Sequence, residues 1–439
     1  MNEEDKIMRI LVAPLGNPAD YQRVTYLFDS KSLISNISSV IIAREIDPDK
    51  ILIVVGDTLA NPSRNYDTIS NDIKEMVKNK LSEAGFIMDK CEVLVAPAVG
   101  NFPNGSFMGS MLDYYYYLLY HLTLMFSGSN GIDNIDMHLD ITHGVNYMSI
   151  LCYRAVLDLL YWLALFYKEV DLTVYNSDPV SKNDSPANIK NINIIEKKRI
   201  IGRPLEELLS NNARTIYLNK DDISSKKQID ERLSLLKKMR QDINAFVGSI
   251  YNGLPLALYT FYNEPSDIKN VIDITLDIFN QNIVVDVRNG LNVLRTASFT
   301  NDFKICIYAY ITSRLLKERY DIKRMDNDGI DMNRIEKIKE FFNYDKRLET
   351  RIDKDMYDIK KNERNSIDDW KLLRKVVCKS IGGPDERNFL AHSGFEENIV
   401  EVINIGGTIR LRYDTSSIDT ARRLSTRGLI AIEPNKPIN

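Results

Sequence analysis

Three features of the 439-residue sequence predict an α/β N-terminal half built on a parallel sheet, then a mostly α-helical connector and C-terminal half with a late β-hairpin. Over residues 1 to about 200, short β-branched runs alternate with stretches of helical length, the habit of strands joined by crossover helices. After Arg203-Pro204 the apolar residues recur at helical spacing alone. Near the end, two alternating runs flank Gly406-Gly407, a strong hairpin signal.

Taken in order, Ile10–Ala13, Ile51–Val55, Val93–Ala96, Met137–Ile141 and Val170–Tyr175 read as strands. Tyr66–Ala84, Gly109–Phe126 and Val145–Lys168 have helical length between them, and Ile192–Ile195 reads as a further edge strand. The run Tyr114–Tyr117 suits aromatic packing on a helix. Beyond Pro204, helices are expected over Leu205–Leu218, Ile229–Tyr251 and from Pro265 onward, and the strands should stop. Gly253-Leu-Pro255 and Glu264-Pro265 punctuate this stretch, which places domains at 1–200, 201–265 and 266–439. Val400–Ile405 and Thr408–Tyr413 form the hairpin.

Composition excludes several classes. Acidic residues number 61 and basic ones 57, a net charge of -4, so the surface as a whole does not attract a polyanion and any nucleic acid must be gripped at a local patch. The four cysteines, Cys91, Cys152, Cys306 and Cys378, lie far apart without a C-x-x-C pair, which fits reduced, buried thiols. No His/Asp/Glu cluster has ligand spacing, so no metal or cofactor is expected. The acidic start Met1–Lys6 predicts a cytoplasmic protein. Charged Arg154 and Asp158 inside the apolar run after Val145 favour a buried or interface helix over a membrane span.

The first chemical constellation is Asp140-Ile-Thr-His-Gly-Val-Asn146, where a strand ends and a long helix begins. Free amides at a helix start favour a phosphate, and Gly144 allows close approach. Thr142 and Asn146 would add hydrogen bonds, and His143 would stack on a base or donate to a phosphate. The same residues would also serve as a helix cap and a turn. Two further loops, with Gly16-Asn17 after the first strand and Gly100-Asn101 after the third, fall on the same rim. No G-x-G-x-x-G follows the first strand and no P-loop is present.

The second constellation is Arg387-Asn-Phe-Leu-Ala-His392, bracketed by Pro384 and Gly394 as a short helix. Asn388 and His392 share a face, whereas Arg387 and His392 differ by about 140° in azimuth. Two copies about a two-fold axis would present both residues around one cleft. Arg plus His supplies the chemistry of RNA cleavage by the 2′-hydroxyl: His392 moves a proton, Arg387 stabilises charge on the phosphate, and Asn388 orients it. The echo at Arg288-Asn289 has Val293 in place of His and reads as structural, as do His121 and His138. Basic runs at 197–199, 314–324 and 422–427 fit solvated helix faces better than phosphate tracks.

An Asp-x-Thr-His-Gly turn on a Rossmann-like domain, joined to a helical domain with Arg-Asn-x-x-x-His, resembles the CARF-HEPN ribonucleases of type III CRISPR systems over essentially the whole chain. The resemblance implies a CARF domain that senses cyclic oligoadenylate, with cyclic tetra-adenylate the expected activator. Thr142, His143, Gly144 and Asn146, with Gly16, Asn17, Gly100 and Asn101, would line its pocket. It implies a HEPN domain in which Arg387, Asn388 and His392 cut single-stranded RNA at a composite site of a homodimer or higher assembly, without a metal. A CARF-type sensor that binds nucleic acid or a partner without cutting stays open, as does an N-terminal enzyme acting on a free nucleotide.

Overall fold

The computed structural model describes residues 5–128, 131–219, 223–288, 290–362, 367–376 and 382–432. Cys378 and Asn289 lie outside the described residues. In the first half, strands β1 (Ile7–Leu15), β2 (Val24–Phe28), β3 (Lys31–Ser35), β4 (Lys50–Gly56), β5 (Cys91–Ala96), β6 (Gly100–Phe102), β7 (Gly105–Met108), β8 (Asn134–Asp140), β9 (Glu169–Ser177) and β10 (Ile189–Arg199) are interspersed with helices. These helices are α1 (Ser39–Ile46), α2 (Tyr66–Ala84), α3 (Met111–Leu124) and α4 (Asn146–Leu163).

Eight strands form one sheet in the order β3-β2-β10-β9-β8-β1-β4-β5. Five consecutive strands up to one edge, β9-β8-β1-β4-β5, are parallel throughout and contain the five strands expected from the β-branched runs. Ile10–Ala13, Ile51–Val55 and Val93–Ala96 are apolar at every position because both faces are covered. Along β1, Ile10 and Val12 enter the core beneath α3 and α4, while Leu11 and Ala13 enter the core beneath α1 and α2. The tyrosines of α3 serve this packing, with Tyr114, Tyr115 and Tyr116 all buried.

The expected strand Ile192–Ile195 is part of the longer β10, which runs antiparallel to β9 and pairs on its other side with β2 only over Ile189–Asn191; the β2/β3 hairpin turns at Asp29 (φ 52°). The segment Val99–Ser106, read as a loop, is largely the β6/β7 hairpin.

The second half contains β11 (Glu207–Leu208), β12 (Ile216–Leu218), α5 (Ile223–Arg232), α6 (Ser234–Asn252), α7 (Pro255–Thr260), α8 (Pro265–Gln281), β13 (Ile283–Asp286), β14 (Leu291–Arg295), β15 (Ala297–Phe299) and α9 (Asn301–Tyr320). After these come β16 (Ile330–Asp331), α10 (Met332–Lys339), α11 (Lys346–Asn362), β17 (Ile367–Leu372), α12 (Leu373–Val376), α13 (Glu386–Ala391), β18 (Val400–Ile405), β19 (Thr408–Tyr413), α14 (Ile418–Ser425) and β20 (Ile430–Ala431). The expected C-terminal hairpin is β18/β19, turning through Gly406 and Gly407 at positive φ and flanked by β17 and β16.

Two expectations for this half are corrected. Leu205–Leu218 is not a helix: between the short strands β11 and β12, buried Asp302 accepts hydrogen bonds from Ser210 N–H (2.9 Å), Ser210 Oγ (2.7 Å) and Arg214 N–H (2.8 Å), holding the intervening chain as a turn. Nor do the strands stop at Arg203. β13 and β14 form a hairpin that adds to the β6/β7 hairpin as a four-stranded sheet, with β14 parallel to β7. At the crossing, a Cβ on Gly105 would sit 2.4 Å from the Leu291 carbonyl oxygen, so only glycine fits.

This shared sheet makes the two halves one body. Trp162 of α4 packs against Tyr308 of α9 with ring centroids 5.1 Å apart. Arg319 of α9 donates to the Phe166 and Ile132 carbonyls (3.0 and 2.7 Å), and Arg314 to the Thr123 carbonyl (3.3 Å). The basic runs, expected as solvated helix faces, are instead engaged within the protein: residues 197–199 lie on β10, where Arg199 pairs with Glu169 and Asp171, and Arg422 pairs with Asp242. His138 is buried between Tyr175 Oη (2.8 Å) and Asp136 Oδ2 (3.1 Å), and His121 Nδ1 lies 2.8 Å from the Tyr117 carbonyl. Among the described residues, no helix is long and apolar enough to cross a membrane.

Candidate functional sites on the rim and at the C-terminal helix

The rim is organised by Asp140, buried at the end of β8. Its Oδ1 accepts from Thr142 N–H (3.0 Å) and Thr142 Oγ (2.5 Å); its Oδ2 accepts from the hydroxyls of Ser38 and Ser39, both at 2.6 Å. Thr142 Oγ in turn accepts from Ser177 N–H (3.0 Å). The polar side chains of the Asp-x-Thr turn are therefore engaged within the protein, pinning β8 to the start of α1 and the end of β9.

His143 is engaged as well. Its ring stacks on Tyr21 at 4.3 Å, and Nε2 accepts from Ser38 N–H (3.1 Å), with Tyr26 Oη at 3.3 Å. An accepting Nε2 requires the neutral ring with its proton on Nδ1, and burial lowers the ring's pKa accordingly. The His143 carbonyl accepts from Gly16 N–H (2.8 Å) and Tyr21 Oη (2.9 Å), so this residue holds the first loop to the fourth. Gly144 cannot be replaced without a shift, since a Cβ there would fall 2.1 Å from Ser149 Oγ. The helix begins at Asn146, two residues later than Gly144.

Two cavities flank the Gly16–Asp20 loop. One, of about 350 Å³, is lined by Gly16, Asn17, Thr58, Asn61 and the hairpin tip Phe102–Asn104. The other, of about 390 Å³, is lined by Tyr21, Thr142, His143 and Gly144 with the loop 176–182. The expected rim residues thus divide: Gly16 and Asn17 face the first cavity, Thr142, His143 and Gly144 the second, while Gly100, Asn101 and Asn146 line neither. Asn17 also caps its own turn, accepting from Ala19 N–H (3.1 Å), and Asn101 accepts from Ser106 Oγ (2.8 Å).

Thr58, Asn61 and Asn104 were not singled out from the sequence. Asn104 Nδ2 donates to the Thr58 and Ala60 carbonyls (2.6 and 2.8 Å), fastening the hairpin tip over the end of β4. Beneath it, Asp57 accepts from Ala98 N–H (3.0 Å), Tyr66 Oη (2.6 Å) and the guanidinium of Arg295, whose Nη1 also donates to the Ala98 carbonyl (2.8 Å). Burial opposes the charge on Arg295, but Asp57 and Tyr66 outweigh it and keep the guanidinium protonated. Pro103-Asn104-Gly105 was a readable turn signal; the partner of Asp57, on β14, was not.

The second site is α13. Asp385 caps it by accepting from Asn388 N–H (2.8 Å), and buried Phe389 anchors it against Tyr413. Ser393 and Gly394 close it at positive φ, with Gly394 N–H donating to the Phe389 carbonyl (2.9 Å). The predicted short helix is therefore present, and Arg387 and Asn388 on it are exposed. The His392 side chain is 52% exposed, and its Nδ1 lies 3.1 Å from Oδ1 of Asp355 on α11, which is 6% exposed.

Burial raises the pKa of Asp355, opposed by His392, Ser393 and Arg351. Arg351 Nε donates to Ser393 Oγ (3.1 Å) and Nη2 to the Asn252 carbonyl (2.5 Å), tying α11 to the end of α13 and to α6. A cavity of about 480 Å³ beside His392 is walled by Lys346, Arg347, Thr350, Arg351 and Lys354. Nothing near Arg387 in sequence signals Asp355, which lies 37 residues from His392.

Among the described residues, no group of three or more His, Cys, Asp or Glu side chains could hold a metal ion. The family model for the CARF domain of the CRISPR system endoribonuclease Csx1 matches residues 10–179, and that for its HEPN domain matches residues 345–415. The CRISPR system endoribonuclease Csx1 of Methanocaldococcus jannaschii is 32% identical over 437 residues, covering 93% of this chain and 90% of that protein.

Proposed function

Because the chain belongs to the Csx1 family of CRISPR endoribonucleases, with a CARF and a HEPN domain, we propose that it cleaves single-stranded RNA when a cyclic oligoadenylate occupies the N-terminal rim. The observation that carries this reading is the exposure of Arg387, Asn388 and His392 on and just after α13, with the second ring nitrogen of His392 beside a cavity lined by Lys346, Arg347, Arg351 and Lys354.

In the reaction, the 2′-oxygen attacks the adjacent phosphorus and the bond to the 5′-oxygen breaks, leaving a 2′,3′-cyclic phosphate and a 5′-hydroxyl. His392 takes or gives the proton, and Arg387 stabilises the charge gathering on the non-bridging oxygens. With Arg387 supplying the positive charge, the step is metal-independent. Asn388 orients the phosphate. Lys346 and Lys354, two turns apart on α11, guide the RNA backbone to the ring. Two chains contribute to one cleft, since Arg387 and His392 are set far apart around a single short helix.

Cyclic tetra-adenylate is the proposed activator. The Gly16-Asn17 loop, the hairpin tip and the Thr142–Gly144 turn surround the cavities it would occupy. The outward face of α4 supports a dimer: Ile150 is 69% exposed, and nearby β10 exposes Ile194 and Ile195. Activator binding favours the dimer arrangement in which the two α13 helices face each other.

His392→Ala tests the assignment. It is expected to abolish RNA cleavage while leaving cyclic tetra-adenylate binding intact; retained cleavage would refute it.

A further inference from the structure

We propose that Asp355 is a positioning residue for RNA cleavage, holding His392 with its proton on Nδ1 and its Nε2 turned to the substrate. The proposal rests on the nuclease reading of α13. It is carried by the contrast between the two partners, which are separated by 3.1 Å: the carboxylate is buried, whereas the imidazole is half exposed. Burying a carboxylate is costly unless donors satisfy it. Here Oδ2 is buried without a hydrogen-bond partner among the described residues, and Oδ1 meets His392. The carboxylate thus sits where burial costs stability and where the group its Oδ1 meets is the half-exposed histidine, with Ser393 and Arg351 beside it.

An ionised carboxylate can only accept, so the pairing selects the Nδ1–H tautomer and leaves the Nε2 lone pair available. Nε2 makes no hydrogen bond among the described residues. The arrangement is braced from behind. Arg351, one turn before Asp355 on α11, donates to Ser393, the residue after His392, and to the Asn252 carbonyl. Ser393 adopts φ 49°, an uncommon conformation for a side-chain-bearing residue, and this turns the chain beneath the ring. Two elements 37 residues apart are thereby locked at the histidine. With the tautomer fixed, Nε2 of His392 can accept the 2′-hydroxyl proton, or after protonation return one to the departing 5′-oxygen.

Asp355→Asn, measured with saturating cyclic tetra-adenylate and a labelled single-stranded RNA, is expected to lower kcat by about 10²-fold or more with KM changed less than twofold. Its melting temperature should match or exceed that of the wild type, because a neutral amide is easier to bury. Nitrogen NMR of the four imidazoles, with His392 assigned by its loss in His392→Ala, should show the Nδ1–H form in the wild type and a shift toward Nε2–H in the variant. A kcat within twofold of wild type while His392→Ala is inactive would overturn the role of Asp355 alone. Finding Nε2–H in the wild type would do so even if the variant failed to fold. Activity retained by His392→Ala would instead remove the nuclease reading itself.

Discussion

Arg295 and Asp57, 238 residues apart in sequence, meet as a buried ion pair beneath the hairpin tip that lines the first rim cavity, with side chains 1% and 0% exposed. The arginine belongs to β14, so the floor of the rim is completed by the second half of the chain. Removing one partner strands the other charge. Arg295→Met is expected to cost about 3–5 kcal/mol of unfolding free energy, and Asp57→Asn combined with Arg295→Met much less than the sum of the two single changes. Urea denaturation of the three variants checks this; additive costs would show that the pair is not coupled.

His143 looks in sequence like a ligand-contacting residue, yet its ring is built into the protein. His143→Phe keeps the stacking on Tyr21 but leaves Ser38 N–H without its acceptor. The expected cost is about 1–3 kcal/mol of stability with no activator present, together with weaker activator binding. Thermal denaturation of the activator-free variant separates the two roles, since a residue serving only as a ligand contact would leave the melting temperature unchanged.

Burial lowers the pKa of His121 from 6.5 to about 4. As pH falls from 6.5 toward 4, the unfolded chain takes up a proton that the folded one refuses, and stability is lost across that window. Asp113, pushed up to about 7 by burial, acts in the opposite sense, binding its proton first in the folded state as pH falls from 7 toward 3.8. The comparison of wild type with His121→Gln isolates the first effect: the difference in unfolding free energy should move by about 3 kcal/mol between pH 7 and pH 4 in favour of the variant. A difference independent of pH would contradict the buried, neutral ring.

Lys346 and Lys354 should act on RNA binding and not on the chemical step. Replacing both with Ala is expected to raise KM for RNA severalfold at about 0.1 M salt, leave kcat unchanged, and reduce the slope of log KM against log salt by about 1.4, corresponding to two lost phosphate contacts on a single strand. Steady-state cleavage over a salt series measures all three quantities. An unchanged slope would move the RNA path elsewhere.

The parallel sheet was legible because its strands are covered on both faces, which makes runs such as Ile51–Val55 continuously apolar. The short hairpins were not, since β2/β3 and β6/β7 are recognised by partners, β10 and β14, that lie far away in the chain. Asn289-Gly290 between two alternating runs is a local signal for the β13/β14 hairpin, masked in sequence by the likeness of Arg288-Asn289 to Arg387-Asn388. The C-terminal motif was readable because cap, anchor and terminating glycine are local to α13. Asp355 was not, because it joins His392 only through tertiary packing. On the rim, Asp140, Thr142 and His143 have side chains suited equally to gripping a ligand and to tying a turn, and composition does not separate the two.

The most direct measurement is cleavage of a fluorescent single-stranded RNA in the presence of EDTA, with and without cyclic tetra-adenylate and with cyclic hexa-adenylate alongside. Cleavage is expected with cyclic tetra-adenylate, unaffected by EDTA, negligible without activator and absent in His392→Ala. No cleavage with either ring, or cleavage that EDTA abolishes, would contradict activator-driven, metal-independent RNA cutting by this chain.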